Sequence, residues 1–257
     1  MLSDNFYARL FLKPIFLYPS IFVMDNTVEN INKKPKPKIL DIFDLGIMDY
    51  EKAYEIQLDK FDKRLKEETN DTLLILEHPS VITLGTSADN ANVIASHEEL
   101  ALKNIRVINT NRGGDVTFHN PGQIIGYLII DLRNHEKDVK LLVWKIENFI
   151  ISMLSKEYGI KSSRIEGLRG VWVNDSKIAA LGISVRRWIT MHGFAINADN
   201  DIEGFNYIIP CGIRDKKVTS IKEITKKPID KSKLKKDVAF YFAEEFGYLE
   251  SNINMNF

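Results

Sequence analysis

The sequence predicts a mixed α/β fold of the α+β type, a mixed sheet with flanking helices. Three observations carry this reading. Strand-like and helix-like segments intermingle without the regular alternation of a doubly wound sheet. A strand, a tight turn and a second strand follow one another at Val171–Val173, Asn174–Ser176 and Lys177–Ala179. A composition of 44% hydrophobic and 27% charged residues in 257 suits a soluble chain with a sizeable core, in one domain or at most two small ones.

The elements follow in order. Residues 39–45 alternate apolar and charged side chains, as a half-buried first strand does. Residues 49–68 place Ala53, Ile56, Leu58, Phe61 and Leu65 near helical spacing. Residues 72–76 form a short apolar run that suits a buried strand. Glu77–Ser80 reads as a turn, and 81–84 as a strand ending at Gly85. Ser96 caps a short helix over 96–103, with Glu98 and Glu99 in its first turn. A strand at 105–108 leads into 111–123, which is too polar and glycine-rich for a plain element, and then into a strand at 124–132. The longest helix covers 138–158, with Leu141, Leu142, Ile146, Phe149, Ile150 and Leu154 on its apolar face. Strands are predicted at 181–185 and 190–196, and a terminal helix at 237–245.

Residues 1–38 read as an N-terminal extension ahead of a folded domain at 39–257, and are expected to be poorly ordered. They pass from an aromatic-rich stretch into Lys33-Lys-Pro-Lys-Pro-Lys38, where X-Pro steps and lysine repulsion favour an extended linker. The favoured reading is an over-long start, with translation beginning at Met24. An organelle-targeting peptide is the alternative, although one arginine beside Asp4, Asp25 and Glu29 fits that class poorly. The expected location is therefore cytoplasmic, or mitochondrial or plastid if 1–38 is an address. Leu10–Val23 holds Lys13, Pro14 and Pro19 and falls short of the roughly 20 residues needed to span a bilayer. Thirty-five Lys and Arg balance 35 Asp and Glu, so bulk charge points to neither nucleic acid nor membrane. A monomer is expected.

The chain has one cysteine, Cys211, which excludes an internal disulfide framework and points to a reducing compartment. A lone cysteine is most often a small buried hydrophobe. Here Pro210 constrains the backbone before it and Gly212 leaves room after it, a setting for a nucleophile. Thiolate is the reactive form, and a free thiol with pKa of about 8.5 offers little at neutral pH. Lys177, 34 positions earlier, enters the small apolar run Ile178–Gly182. Burial would suit it to proton transfer. Arg112, the pair Gly113-Gly114, Thr117 and His119 form a loop able to hold a thioester carbonyl or a pantetheine arm. His119 and His192 are expected to line that pocket, and their spacing makes no metal site.

These segments carry a resemblance. Arg112-Gly-Gly-x-x-Thr-Phe-His119-x-Pro-Gly-Gln123, Lys177-Ile-Ala-x-Leu-Gly182, His192-Gly-x-Ala-x-Asn197 and Pro210-Cys-Gly212 resemble, in order and spacing, the lipoyl(octanoyl) transferase family. The resemblance runs from about Ile39 to Lys222. It implies the biotin/lipoate protein ligase-like catalytic fold, and transfer of an octanoyl group from acyl carrier protein to a lysine of a lipoyl domain. It implies an acyl-thioester on Cys211, with Lys177 tuning the thiol and moving protons. Substrate binding is implied for Arg112, Gly113, Gly114, Asp115, Val116, Thr117, Phe118 and His119, for Ala180, Leu181 and Gly182, and for Gly193, Phe194 and Ala195. The implied acceptors are lipoyl domains of 2-oxoacid dehydrogenase subunits and the glycine cleavage H protein. Asn120, where the family usually has glycine, and residues 165–170 depart from the pattern. Neither cofactor nor metal is expected: a thioester donor is already activated, and no Walker-type phosphate loop is found.

Two alternatives remain. An ATP-dependent lipoate or biotin ligase shares the fold but needs no nucleophilic cysteine. A non-catalytic module would dock lipoyl domains without becoming acylated. Residues 214–236 carry ten Lys or Arg against three Asp or Glu, a solvated basic face or a guide for acidic carrier and lipoyl domains.

Overall fold

Alternation builds the first strand, β1 (Leu40–Ile47), whose Leu40 and Ile42 are fully buried. The structure is a computed structural model and describes residues 38–210, 216–249 and 253–256. Residues 1–37 of the expected extension therefore lie outside the described residues. After β1 come α1 (Tyr50–Leu65), β2 (Asp71–Glu77), β3 (Val81–Leu84), α2 (His97–Leu102), β4 (Arg106–Asn109), β5 (Val116–His119) and β6 (Gln123–Ile129). Then follow α3 (Val139–Tyr158), β7 (Ser163–Ile165), β8 (Leu168–Val173), β9 (Ser176–Arg186) and β10 (Ile189–Asn197). β11 (Lys217–Val218), α4 (Ile221–Thr225), α5 (Lys231–Phe246) and β12 (Ile253–Asn256) complete the chain.

The main sheet runs β12-β1-β2-β6-β10-β9-β8-β7, with β11 added alongside β9. β12, β1 and β2 are parallel, and the pairs from β2 to β7 are antiparallel. β6 lies inside this sheet and is buried on both faces, so it reads as an unbroken apolar run. Its Ile124 and Leu128 face the helices α3 and α5, in a cluster with Phe149, Phe194 and Phe242. Its Ile125, Tyr127 and Ile129 face α1, in a cluster with Ala53, Phe61, Leu74, Met191 and Ala195. Phe149 wedges between Phe194 and Phe242, with ring centroids 5.1 and 5.7 Å away. A second sheet, β4-β3-β5, covers a third cluster of Ile82, Leu84, Val116, Phe118 and Phe205.

Several elements differ from the sequence reading. The polar segment 111–123 contains a true strand, β5, and the run expected as separate strands at 177–179 and 181–185 is one continuous β9. The terminal helix starts at Lys231, because the Asp230 side chain accepts the Lys233 amide at 3.0 Å and caps it there. β7, β11, α4 and β12 had no counterpart in the sequence reading.

Candidate active site

The glycine-rich loop is laid directly on β9. Gly113 donates its amide to the Ile183 carbonyl at 3.0 Å, and Gly114 turns the chain at φ +92°. A Cβ on Gly182 would sit 2.9 Å from the Gly113 carbonyl oxygen and 3.1 Å from Arg112 Cδ, so the strand needs glycine there to admit the loop. The Arg112 guanidinium is buried and holds the loop together. It donates to the carbonyls of Thr83 (2.6 Å) and Asp115 (2.7 Å) and to Thr83 Oγ1 (3.1 Å).

Between loop and sheet lies a narrow cavity, with about 510 Å3 of empty space including its open mouth. Its walls include Arg112, Gly114, Asp115, Val116, Thr117 and His119, Ala180, Leu181 and Gly182, and Gly193, Phe194 and Ala195. The three segments singled out in the sequence are thus brought together. Gly113 and Phe118 are not among the wall residues. The Phe118 ring instead packs edge-on to Phe205 at 5.8 Å, because alternation along β5 turns it to the other face. Phe194 likewise turns its ring away, against Phe149.

Buried histidines surround the cavity. His119 Nδ1 lies 2.7 Å from Gln123 Oε1, whose amide nitrogen donates to Asn197 Oδ1 at 2.8 Å. That orientation of Gln123 makes His119 the Nδ1–H tautomer, with its Nε2 lone pair towards Thr83 Oγ1 at 3.5 Å. Burial, with His78 beside it, pushes His119 down to about 3. Burial, aided by Arg112, pushes His192 down to about 4. Both are therefore neutral at pH 7. His78 is also lowered by burial, and it bridges the Met48 carbonyl (2.6 Å) and the Tyr127 hydroxyl (2.7 Å). Tyr50, Ile125 and Tyr127 line the cavity too, and the sequence reading missed them. They sit in ordinary helix and strand patterns, so only the topology reveals their role.

Lys177 reaches this side of the sheet through a β-bulge. Trp172 pairs with Lys177 and Val171 with Ala179, leaving Ile178 as the extra residue. A bulge re-aims the side chains around it. Ile178 and Ala179 both join the cluster under α3 and α5. Lys177 takes the same face as Trp172, and by alternation the face of Ala180 and Gly182. Its ammonium lies 4.8 Å from the centre of the Trp172 ring, and the residue is only 7% exposed. Gly170, at φ +123°, leaves room for the arm: a Cβ there would lie 3.3 and 3.4 Å from Lys177 Cε and Cδ.

Cys211 lies outside the described residues. The chain on either side of 211–215 is held near Lys177. Val218 pairs with Lys177 in β11, and Thr219 donates its amide to the Lys177 carbonyl at 3.0 Å. Pro210 and Lys216 line one hollow together with Val218. Asn197 joins this end to the histidine chain by donating to the Thr219 carbonyl at 3.0 Å. Among the described residues, no group of three or more His, Cys, Asp or Glu could hold a metal ion.

Residues 49–243 match the family model of the lipoyl protein ligase A/B catalytic domain. A protein from Alkaliphilus metalliredigens named octanoyltransferase is 44% identical over 209 residues, 81% of this chain and 96% of its own length. An octanoyltransferase from Desulforamulus reducens is 42% identical over 204 residues, 79% of this chain and 90% of its own length. Among solved structures, a putative lipoate protein ligase from T. acidophilum with bound lipoic acid superposes with TM-score 0.64 at 10% identity, covering 84% of this chain and 87% of that one. Lipoate-protein ligase A bound with ATP gives TM-score 0.62 at 11% identity, covering 86% and 87%. At such identities the likeness shows the fold, a mixed α+β sheet of the lipoate ligase type.

Proposed function

From the premise that the chain belongs to the lipoyl protein ligase A/B catalytic-domain family, we propose that it is an octanoyltransferase working through an acyl-cysteine. The observation that carries this reading is the 44% identity to a named octanoyltransferase across four-fifths of the chain. The cavity adds support, since it is narrow, its exposed lining is mostly apolar and its two histidines are neutral, a setting for an acyl chain.

In this reading the donor is octanoyl-acyl carrier protein. The Cys211 thiolate attacks the thioester carbonyl, and the carrier thiol leaves with a proton from the Lys177 ammonium. The acceptor is a protein bearing a lipoyl domain. Its lysine amine attacks the octanoyl-Cys211 carbonyl and gives up a proton to the now neutral Lys177. The products are an amide and the thiolate ready for another cycle. The first step exchanges one thioester for another and the second runs downhill to an amide, so no nucleotide enters the balance. Arg112 and the bulge at Ile178 position the loop and the lysine arm.

The basic stretch 214–236 contributes less to partner choice than its charge count implies. Lys216 pairs with Asp175, Lys231 with Glu77, Lys233 with Glu157 and Asp237, and Lys235 with Asp44. These four brace the fold, and among the described residues the exposed Lys217, Lys222, Lys226, Lys227 and Lys236 are the part of the stretch left to meet an acidic carrier.

The test is transfer to a lipoyl domain from octanoyl-carrier protein in nucleotide-free buffer. Amide product is expected. Product that forms only with ATP and free octanoate would make the chain a ligase and reject this reading.

A further inference from the structure

We propose that the ring of Tyr50 is the end wall of the acyl slot and sets the longest chain the protein transfers. This rests on the octanoyltransferase reading. Ala180 and Gly182 line the cavity from β9, Lys177 lies on the same face outside its walls, and the facing residues of β10 run from Ala195 to Gly193. At about 3.4 Å per residue, Lys177 and Gly182 are roughly 15 Å apart. An acyl group activated at the lysine end therefore extends towards Tyr127, His192 and Tyr50, which line the far end. Tyr50 is 4% exposed and opens α1. Its ring packs 5.3 Å from the His78 ring, and His78 is itself pinned between the Met48 carbonyl and Tyr127.

Beyond Tyr50 lies a second hollow, with about 920 Å3 of empty space including its mouth. Pro79, Val81, Ala101 and Ile105 give it its apolar walls, and Ser80, Asn104 and the Asp49–Arg106 pair, 3.5 Å apart, its polar ones. Among the described residues, Tyr50 alone lines both hollows. One aromatic residue thus stands between the narrow slot and the second hollow. A single methylene admitted to or refused by an apolar pocket changes selectivity by about 10- to 200-fold.

The experiment compares transfer from hexanoyl-, octanoyl-, decanoyl- and dodecanoyl-carrier protein by the full chain and by Tyr50→Ala. The dodecanoyl-to-octanoyl ratio of kcat/KM is expected to rise by about 10-fold or more in the variant. An unchanged ratio, with octanoyl transfer still measurable, overturns the wall and leaves the octanoyltransferase reading standing. Absence of octanoyl transfer by the unaltered chain overturns that reading, and the wall with it. If Tyr50→Ala does not fold by circular dichroism, Tyr50→Leu is judged by the same ratio. Tyr50→Phe keeps the ring and is expected to keep the shape of the chain-length profile. A profile shifted by Tyr50→Phe would assign the effect to the hydroxyl and contradict the proposal.

Discussion

A lysine serves proton transfer only if its arm is held where the proton is needed, and here small neighbours do the holding. Lys177 extends over Gly170 towards the Trp172 ring. Lys177→Met keeps the arm's volume and removes the ammonium. Single-turnover acylation by octanoyl-carrier protein is expected to slow by about 100-fold or more with the fold retained. A normal acylation rate would remove Lys177 from the chemistry. Gly170→Ala keeps the ammonium and disturbs the arm. Its Cβ would meet the Ala179 carbonyl at 2.6 Å and crowd the lysine methylenes, at a φ of +123° that L residues avoid. A stability loss of about 1–3 kcal/mol in urea unfolding is expected from the strain, with transfer slowed by up to about 100-fold through misplacement. Unaltered stability and rate would show that the strand can absorb the methyl group. Lys177 was legible in the sequence because a lysine ahead of Ile-Ala-Ala-Leu-Gly is out of place. Gly170 was not, since one glycine in a divergent stretch looks like any other turn.

At the scale of elements, the bulge in β9 is the main departure from regular pairing, and it decides which face the lysine takes. The sequence reading put a break between Lys177–Ala179 and Leu181–Val185, where β9 is continuous, and missed the irregularity at Ile178, because a bulge keeps the apolar run intact while shifting register. β5 was hidden for a different reason. Its strand Val116–His119 turns Phe118 to the core and Thr117 and His119 to the cavity, and those two polar residues look like loop. The long amphipathic α3 was legible because seven of its residues are buried at helical spacing. α3 also braces the site. Glu147, 6% exposed, accepts the Gly170 amide at 3.0 Å and Arg164 Nε at 2.9 Å. Glu147→Ala strands that buried amide and is expected to cost about 1–3 kcal/mol in urea unfolding. A cost near zero would mean that the start of β8 holds its place without the helix.

Taken whole, the molecule keeps two histidines, His119 and His192, neutral in the walls of a cavity shared by two sheets, and that has a pH signature. Unfolded histidine titrates near 6.5, while folded His192 and His119 are held down to about 4 and about 3. Above pH 6.5 neither state is protonated and the histidines favour neither. As pH falls below that, the unfolded chain binds protons that the native chain refuses, so stability drops. The linkage predicts a loss of about 2 kcal/mol for each of these two histidines by pH 5 relative to pH 7. Unfolding free energies by urea at the two pH values check this, and a flat profile would contradict the burial of neutral imidazoles. The same assembly of loop, bulge and tethered segment exists, in this account, to let one sulfur carry an acyl group. Intact-mass analysis after mixing with octanoyl-carrier protein, without acceptor, tests that directly. The account predicts a single octanoyl adduct on Cys211, absent from Cys211→Ser. Transfer to a lipoyl domain by Cys211→Ser at the parent rate, with no adduct on either chain, would contradict it.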